Sequence, residues 1–138
     1  MFFLFALLLL GIQPSQPTQV RIMVRVLDVR PVKGGVLHVG LHREPGVGFP
    51  GPAPQGNQDA RVVGTDATLT FLTTPGIYAF AVHHDANANG KMDTNFFGIP
   101  KEGYGVSNDP RPRFRAPRFD EARVVVSGDT SLVIRMAY

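Results

Sequence analysis

Alternation of apolar and polar residues constrains the fold of this chain more than any other feature. In Val20–Val29, valine or isoleucine occupies every second position at first, and Arg21 and Arg25 lie between them. Leucine and valine alternate with histidine in Val36–Arg43 in the same way. A period of two residues with β-branched side chains is typical of strands that bury one face and expose the other.

Short strands joined by turns are predicted along the rest of the chain. Its 138 residues include 15 glycines and 12 prolines, and no helical pattern exceeds a turn or two. The segment from Asp85 to Arg118 has no strong periodicity and is predicted to be one long loop region. We therefore expect an all-β domain, an antiparallel β-sandwich of about seven strands in the immunoglobulin-like or transthyretin-like class. The predicted strands are Val20–Val29, Val36–Arg43, Ala60–Val63, Thr68–Thr73, Ile77–His84, Arg123–Val126 and Leu132–Tyr138.

The N-terminal segment is predicted to lie outside this domain. Phe2–Leu10 is an unbroken apolar run. It is shorter than the roughly 20 residues that a membrane-spanning helix needs, and it matches the apolar region of a secretory signal peptide. Residues 1–18 are thus expected to be a signal peptide cleaved between Gly11 and Gln19, or alternatively a retained N-terminal anchor. Both interpretations predict an exported domain over residues 19–138, in the periplasm, at the cell surface or outside the cell.

Composition excludes several classes of site. The chain has no cysteine, which rules out disulfides, thiolate metal sites and a cysteine nucleophile. The remaining 120 or so residues are long enough to bury a core without such links. The formal net charge of +3 is mild and does not by itself indicate nucleic-acid binding.

The segment Asp85–Asp93 matches the first nine positions of an EF-hand-type calcium loop. Calcium takes six to eight oxygen ligands, and alternate residues of a tightly wound loop can all direct oxygens inward. Gly90 allows the positive φ that turns the chain around the ion. The predicted ligands are the side-chain oxygens of Asp85, Asn87, Asn89 and Asp93 and the main-chain carbonyl oxygen of Lys91.

This loop departs from the EF-hand at its twelfth position, where Phe96 replaces the bidentate glutamate and no helices flank the loop. Another acid must complete the site, and Glu102 is the nearest candidate, with Asp120 and Glu121 more remote. Because Lys91 lies close by and only two or three carboxylates face the ion, the predicted affinity is weak, on the order of 10⁻⁴–10⁻³ M. The alternative is a metal-free hairpin loop, since Asn-Gly is itself a strong hairpin signal.

The stretch from Pro75 to Asp109, which contains HHDANANGKMDTNFFGIPKEGYG, resembles the bacterial exported family catalogued as domain of unknown function 2141. Pro117–Ala122 resembles the second short block of that family. The resemblance implies an exported β-sandwich with no established activity. It also implies that Asp85 to Glu102 is the distinctive element of the family.

Four histidines raise a zinc hypothesis, because zinc favours three or four such ligands. His38 and His42 share one face of a predicted strand, and His83 and His84 end another. The alternative is that His38 and His42 simply occupy a polar face. His84 shares parity with the bulky residues of its strand, so we expect it to point inward and to support a carboxylate or carbonyl of the adjacent loop.

Two further groups of residues follow the loop. Arg111, Arg113, Arg115 and Arg118 could bind an anionic polymer or an envelope surface, or could form a solvated loop, with no specific nucleic-acid binding expected. Phe96, Phe97 and Tyr104 could form an aromatic platform or a plug that pins the loop to the sandwich. Gly98, Gly103 and Gly105 are interpreted as turn glycines.

The leading functional hypothesis is a binding or structural module with a calcium-type loop. No nucleophile-elbow, zinc-protease or P-loop motif is present in the sequence. The alternative is a hydrolase-like enzyme that uses His83, His84, Asp85 and Glu102 around a pocket.

Overall fold

The computed structural model describes Gly11, Ser15 and residues 18–54, 56–96 and 100–138. Eight strands lie within these residues, together with a 3-10 turn at Pro31–Lys33 and a one-turn helix, α1, at Phe119–Ala122. The strands are β1 (Val20–Leu27), β2 (Val36–Arg43), β3 (Asn57–Arg61), β4 (Ala67–Thr73), β5 (Gly76–Asp85), β6 (Gly103–Val106), β7 (Val124–Val126) and β8 (Thr130–Arg135).

Two sheets form the domain, and this confirms the predicted β-sandwich. One sheet has the order β4-β1-β8, and the other has the order β3-β2-β5-β6, with β7 pairing the first residues of β5. All pairs are antiparallel except β1 and β8, which run parallel. The parallel pair is the one departure from the expected antiparallel arrangement.

The core lies between the inner faces of the two sheets. Alternate residues of β1 face β5 across this core, and Ile22, Val24 and Phe80 are completely buried. Tyr78 and Val82 extend the same face of β5, as the alternation predicts. The opposite face of β5 therefore carries Ala79, Ala81, His83 and Asp85.

A second, smaller apolar cluster covers part of that outer face. Ala79 and Ala81 of β5 pack there with Val106 and Ala122, and the rings of Phe49 and Phe119 lie against them. Ser107 links the layers, because its Oγ accepts a hydrogen bond from the Phe80 N–H and donates one to the Ala122 carbonyl. The cover ends before His83, which leaves the last residues of β5 for the site described below.

Strand β6 was not expected from the sequence, since Gly103 and Gly105 leave it without an alternating pattern. Both are strand residues rather than turn residues, and Gly98 lies outside the described residues. A Cβ at Gly105 would lie 2.8 Å from Ile134 Cγ2, so close packing on β8 requires glycine there. Strand β3 begins three residues earlier than predicted, and β8 ends at Arg135 rather than Tyr138.

The predicted signal segment, residues 1–18, lies almost entirely outside the described residues. Among the residues that are described, no helix has the length and apolar character needed to cross a bilayer.

Candidate metal site

The site forms where β5 ends, on the outer face of the larger sheet. His83 and Asp85 project from this face, and His38 of β2 stands directly opposite His83 in the antiparallel register. The two imidazole rings lie with their centroids 5.6 Å apart. Glu102 immediately precedes β6, whose Tyr104 pairs with His83 on the other side. Two neighbouring strands thus place histidines and carboxylates side by side.

Asp85 organises the beginning of the loop. Its side chain is 1% exposed, and Oδ1 accepts a hydrogen bond from the Asn89 N–H at 3.1 Å. Its Oδ2 accepts from the Gly90 N–H at 2.7 Å and from His38 Nε2 at 3.0 Å. Burial alone would raise the pKa of Asp85, but these hydrogen bonds hold it below the usual value. Asp85 is therefore a charged carboxylate held by three donors.

His38 bridges two carboxylates, because its Nδ1 lies 2.7 Å from Asp59 Oδ1 while its Nε2 contacts Asp85. Burial would lower the pKa of His38, but the hydrogen bonds and charges of Asp59 and Asp85 raise it above the ordinary value. His38 thus links the two carboxylates, and its contact with Oδ2 orients the Asp85 side chain.

The loop from Asp85 to Asp93 closes on itself. Gly90 has the left-handed backbone predicted for it, with φ 76°. Asn89 Oδ1 accepts from the Lys91 N–H at 2.9 Å, and Asn87 Oδ1 accepts from the Asn89 N–H at 3.3 Å. The side-chain amides of Asn87 and Asn89 donate to the Asp93 carboxylate at 2.7 and 3.1 Å, and they lower the pKa of Asp93.

Glu102 lies next to the loop. Its side chain is 5% exposed, and Oε2 accepts from His83 Nε2 at 2.5 Å and from the Asp93 N–H at 3.2 Å. Its other oxygen, Oε1, is buried and has no hydrogen-bond partner among the described residues. The more remote acid Glu121 instead binds Arg115.

One donor atom from each of His83, Asp85 and Glu102 lies within 4.8 Å of the other two. This separation is close enough for the three side chains to share an ion after small rotations. The loop places Asn87, Asn89 and Asp93 around the same region, and Lys91 follows Gly90 at the tip. All six predicted ligand positions thus belong to one continuous structure made of the loop and the residue before β6.

The zinc hypothesis expects two or three imidazoles to converge. His38 and His83 are neighbours, whereas His42 and His84 lie elsewhere. His84 points inward, as its parity predicts, but its nitrogens contact the Tyr138 hydroxyl at 2.6 Å and the Gly34 carbonyl at 2.7 Å. The expected support of the loop by His84 is therefore wrong. His42 contacts the Gly51 carbonyl under the ring of Phe49. The sheet likewise separates His84 from the other three residues of the hydrolase hypothesis.

Two cavities open on the outer face and meet at His83. The smaller, of about 280 Å³, is lined by two residues of the loop tip and by residues of β2 and β3. The larger, of about 780 Å³, runs along β6 towards the arginine-rich segment. Both include Ala81, His83 and Met92 in their walls. The smaller is also lined by His38, Asp59 and Gly90, and the larger by Tyr104, Arg113, Phe114, Pro117 and Tyr138.

The arginines after the loop are partly engaged in internal contacts. Arg115 forms two hydrogen bonds with Glu121, and this guanidinium lowers the pKa of Glu121 to about 2. Arg111 donates to the Arg135 carbonyl at 2.6 Å. Arg113 and Arg118 remain exposed, and Arg113 lines the larger cavity. The anionic-polymer hypothesis therefore rests on a smaller charged surface than the sequence suggested.

The described aromatic residues of the segment, Phe96 and Tyr104, do not form the plug that was one of the two alternatives. Phe96 is 96% exposed, and Phe97 lies outside the described residues. Tyr104 is half-buried on β6 and forms a wall of the larger cavity.

The family described as "Uncharacterized protein conserved in bacteria (DUF2141)" matches residues 24–134. These residues include the whole site and both sheets, except the first four residues of β1 and the last residue of β8. No curated protein and no solved structure shows significant similarity to the chain.

Proposed function

Because the chain belongs to this bacterial family of unknown function, we propose its function from its own residues: an exported binding or structural module whose Asp85–Asp93 loop takes a calcium ion. The proposed ligands are oxygens only. They come from the side chains of Asp85, Asn87, Asn89, Asp93 and Glu102 and from the main-chain carbonyl of Lys91.

The observation that carries this proposal is the buried, unpartnered Oε1 of Glu102. A buried polar atom without a partner costs about 1–3 kcal/mol, and more when it is charged. Asp85 is buried close by, so two carboxylates share a region with little water. A divalent cation would satisfy both, since buried charges are stable in proteins when they are paired or coordinate a metal.

The hydrogen bonds around the carboxylates favour this arrangement. His83 and the Asp93 N–H hold one oxygen of Glu102, which leaves the other for an ion. His38 and the loop N–H groups hold Asp85. Such outer partners orient metal ligands and are part of a metal site's design.

The remaining oxygens would have to turn towards the ion, because those of Asn87 and Asn89 now accept from the Asn89 and Lys91 N–H groups. The Asp93 carboxylate already lies 2.7 Å from the Asn87 amide nitrogen and 3.1 Å from that of Asn89. Rotation of these amides would present their oxygens where their nitrogens now lie. A loop of short side chains with few carboxylates is expected to bind weakly, in the range of about 10⁻⁴–10⁻³ M seen in extracellular modules.

Thermal melting of the purified protein in calcium and in chelator tests the proposal. For a dissociation constant of about 1 mM, 10 mM calcium would stabilise the fold by about 1.4 kcal/mol. That corresponds to a rise in Tm of roughly 4–6 °C for a domain of this size.

Two variants make the test specific. Glu102→Gln should abolish most of the shift, because it removes the charge at the buried oxygen. Lys91→Ala should retain it, because only the main-chain carbonyl of that residue is a proposed ligand. An equal rise in Tm in a salt solution of the same ionic strength without divalent ions would contradict the calcium assignment. So would a calcium-induced rise in Tm that is undiminished in Glu102→Gln.

A further inference from the structure

We propose that the same centre also binds a borderline transition ion of the zinc or cobalt type, with His83 Nε2 as a nitrogen ligand beside Asp85 and Glu102. This inference rests on the proposed function to the extent that both ions use the same two carboxylates. The transition ion would add the His83 nitrogen as its third ligand and would not use Asn87, Asn89 or Asp93. Calcium and the transition ion would therefore exclude one another.

Geometry is the first support for this centre. The three donor atoms lie within 4.8 Å of one another. Tetrahedral coordination at about 2.1 Å places ligand atoms about 3.4 Å apart, so modest side-chain rotations would bring the three atoms onto one ion. Nε2 of His83 already contacts Glu102. To bind the ion, Nε2 would give up this hydrogen bond, and its hydrogen would move to Nδ1 of the imidazole. Glu102 would then bind the ion through its unpartnered Oε1.

Burial supplies a second and independent observation. Glu102 and Asp85 are both more than nine-tenths buried, and Glu102 Oε1 has no hydrogen-bond partner within the described part of the chain. The three side chains are also held by paired strands, since His84 pairs with Gly103, and His83 and Glu102 flank that pair. A site built on strands is more rigid than one built on a loop alone.

Ligand chemistry then selects the ion. Imidazole nitrogen suits zinc, copper, iron and nickel, whereas calcium takes oxygen ligands. His38 contacts Asp85 and would orient that carboxylate ligand without itself binding the ion. Three protein ligands leave a coordination position open, which is the usual arrangement in a reactive zinc site. His83 lies in the wall of both cavities, so that position would be reachable from outside.

Titration of the full, tag-free chain with zinc, followed by calorimetry, and with cobalt, followed by visible absorption, tests this inference. The wild type should bind one equivalent of each ion, and cobalt should give the absorption bands of a nitrogen- and oxygen-ligated site. His83→Gln should weaken zinc binding by more than about tenfold. Glutamine can still donate a hydrogen bond to Glu102, so the loss of calcium affinity should be much smaller.

Asp93→Asn is the matched control, because only the calcium mode uses that carboxylate. It should weaken calcium binding more than zinc binding, the reverse of His83→Gln, while Glu102→Gln should weaken both. Calcium added to the zinc-bound protein should raise the apparent zinc dissociation constant.

Zinc binding of equal strength in the wild type, His83→Gln and Glu102→Gln would overturn the inference, as would the absence of any stoichiometric binding. If His83→Gln fails to fold, the imidazole NMR signals of wild-type His83 decide the question, because they must shift on zinc addition. A calcium shift without zinc binding would leave the proposed function intact and overturn this inference. Zinc binding that depends on His83, without any calcium response, would support this inference and overturn the proposed calcium binding.

Discussion

Replacement of Asp85 by asparagine should destabilise the domain even when every ion is chelated. The Asp85 carboxylate accepts hydrogen bonds from the main-chain N–H groups of Asn89 and Gly90 and from His38. Asparagine keeps one acceptor oxygen but turns an amide N–H₂ group towards donors. The hydrogen bonds that hold the loop against the end of β5 would then be weakened.

The size of the effect follows from these contacts. Hydrogen bonds to a charged group contribute about 1.5–3 kcal/mol each. Asparagine can place its oxygen where Oδ2 accepts from Gly90 and His38, so the bond from the Asn89 N–H would be lost and the other two would lose their charge. Because the N–H groups of the exposed loop can turn to water, the expected cost is at the lower end, about 2–4 kcal/mol. For a domain of this size, that lowers Tm by roughly 6–15 °C.

Urea unfolding followed by far-ultraviolet circular dichroism, with chelator present, measures this cost. The hydrogen bonds to Asp85 hold the pKa of the folded carboxyl below its ordinary value of 3.8. The stability that its charge contributes is therefore fully present above that value and is lost as the pH falls through the lowered pKa of the folded state. The difference between wild type and Asp85→Asn should accordingly be large at pH 6 and should shrink below about pH 4.

Asp93→Asn provides the comparison, because Asp93 accepts only from the Asn87 and Asn89 side chains and from no buried donor in the described contacts. Its ion-free stability should stay close to that of the wild type, although its calcium response should fall. If Asp85→Asn is as stable as the wild type in chelator at pH 6, Asp85 does not hold the loop in the way argued here.

Two other predictions concern the cover of the outer face. Ser107→Ala leaves the Phe80 N–H and the Ala122 carbonyl unpaired in a buried position, so urea unfolding should show a loss of about 2–4 kcal/mol. Glu121→Gln should lower Tm at neutral pH by removing the ion pair with Arg115. Since the pKa of folded Glu121 is about 2 against an ordinary 4.5, the effect should persist to pH 4 and disappear as the pH falls through 2; a difference that is unchanged at pH 1.5 would refute it.

The strands that bury one face could be predicted because apolar and polar residues alternate along their own sequence. Val36–Arg43 agrees with the structure at both ends, and the inward direction of His84 followed from its parity with Tyr78 and Phe80. Strand β6 could not be predicted in this way, because two of its four residues are glycines. Their spacing is required by the approach of β8 and Tyr138, which are distant in sequence.

The site could be predicted only in part, for a similar reason. The loop and Glu102 follow from local spacing and from the types of side chain that bind cations. The role of His38 depends on the register that places it opposite His83, and register between strands cannot be read from one sequence. The zinc hypothesis left the register open. The structure brings His38 and His83 together, whereas His42 and His84 contact main-chain carbonyls elsewhere in the fold.

The position of the loop connects its proposed ion to the cavities. Gly90 and Met92, at the loop tip, form part of the wall of the smaller cavity, and His83 borders both cavities. The other walls include residues of β2, β3, β5 and β6, which are held by the core, together with residues 50–52 and 112–117. An ion that orders the loop would therefore order the part of the wall that Gly90 and Met92 form. Glu102 immediately precedes β6 and Asp85 ends β5, so the proposed ion would join two neighbouring strands of the sheet to the loop that borders the cavity.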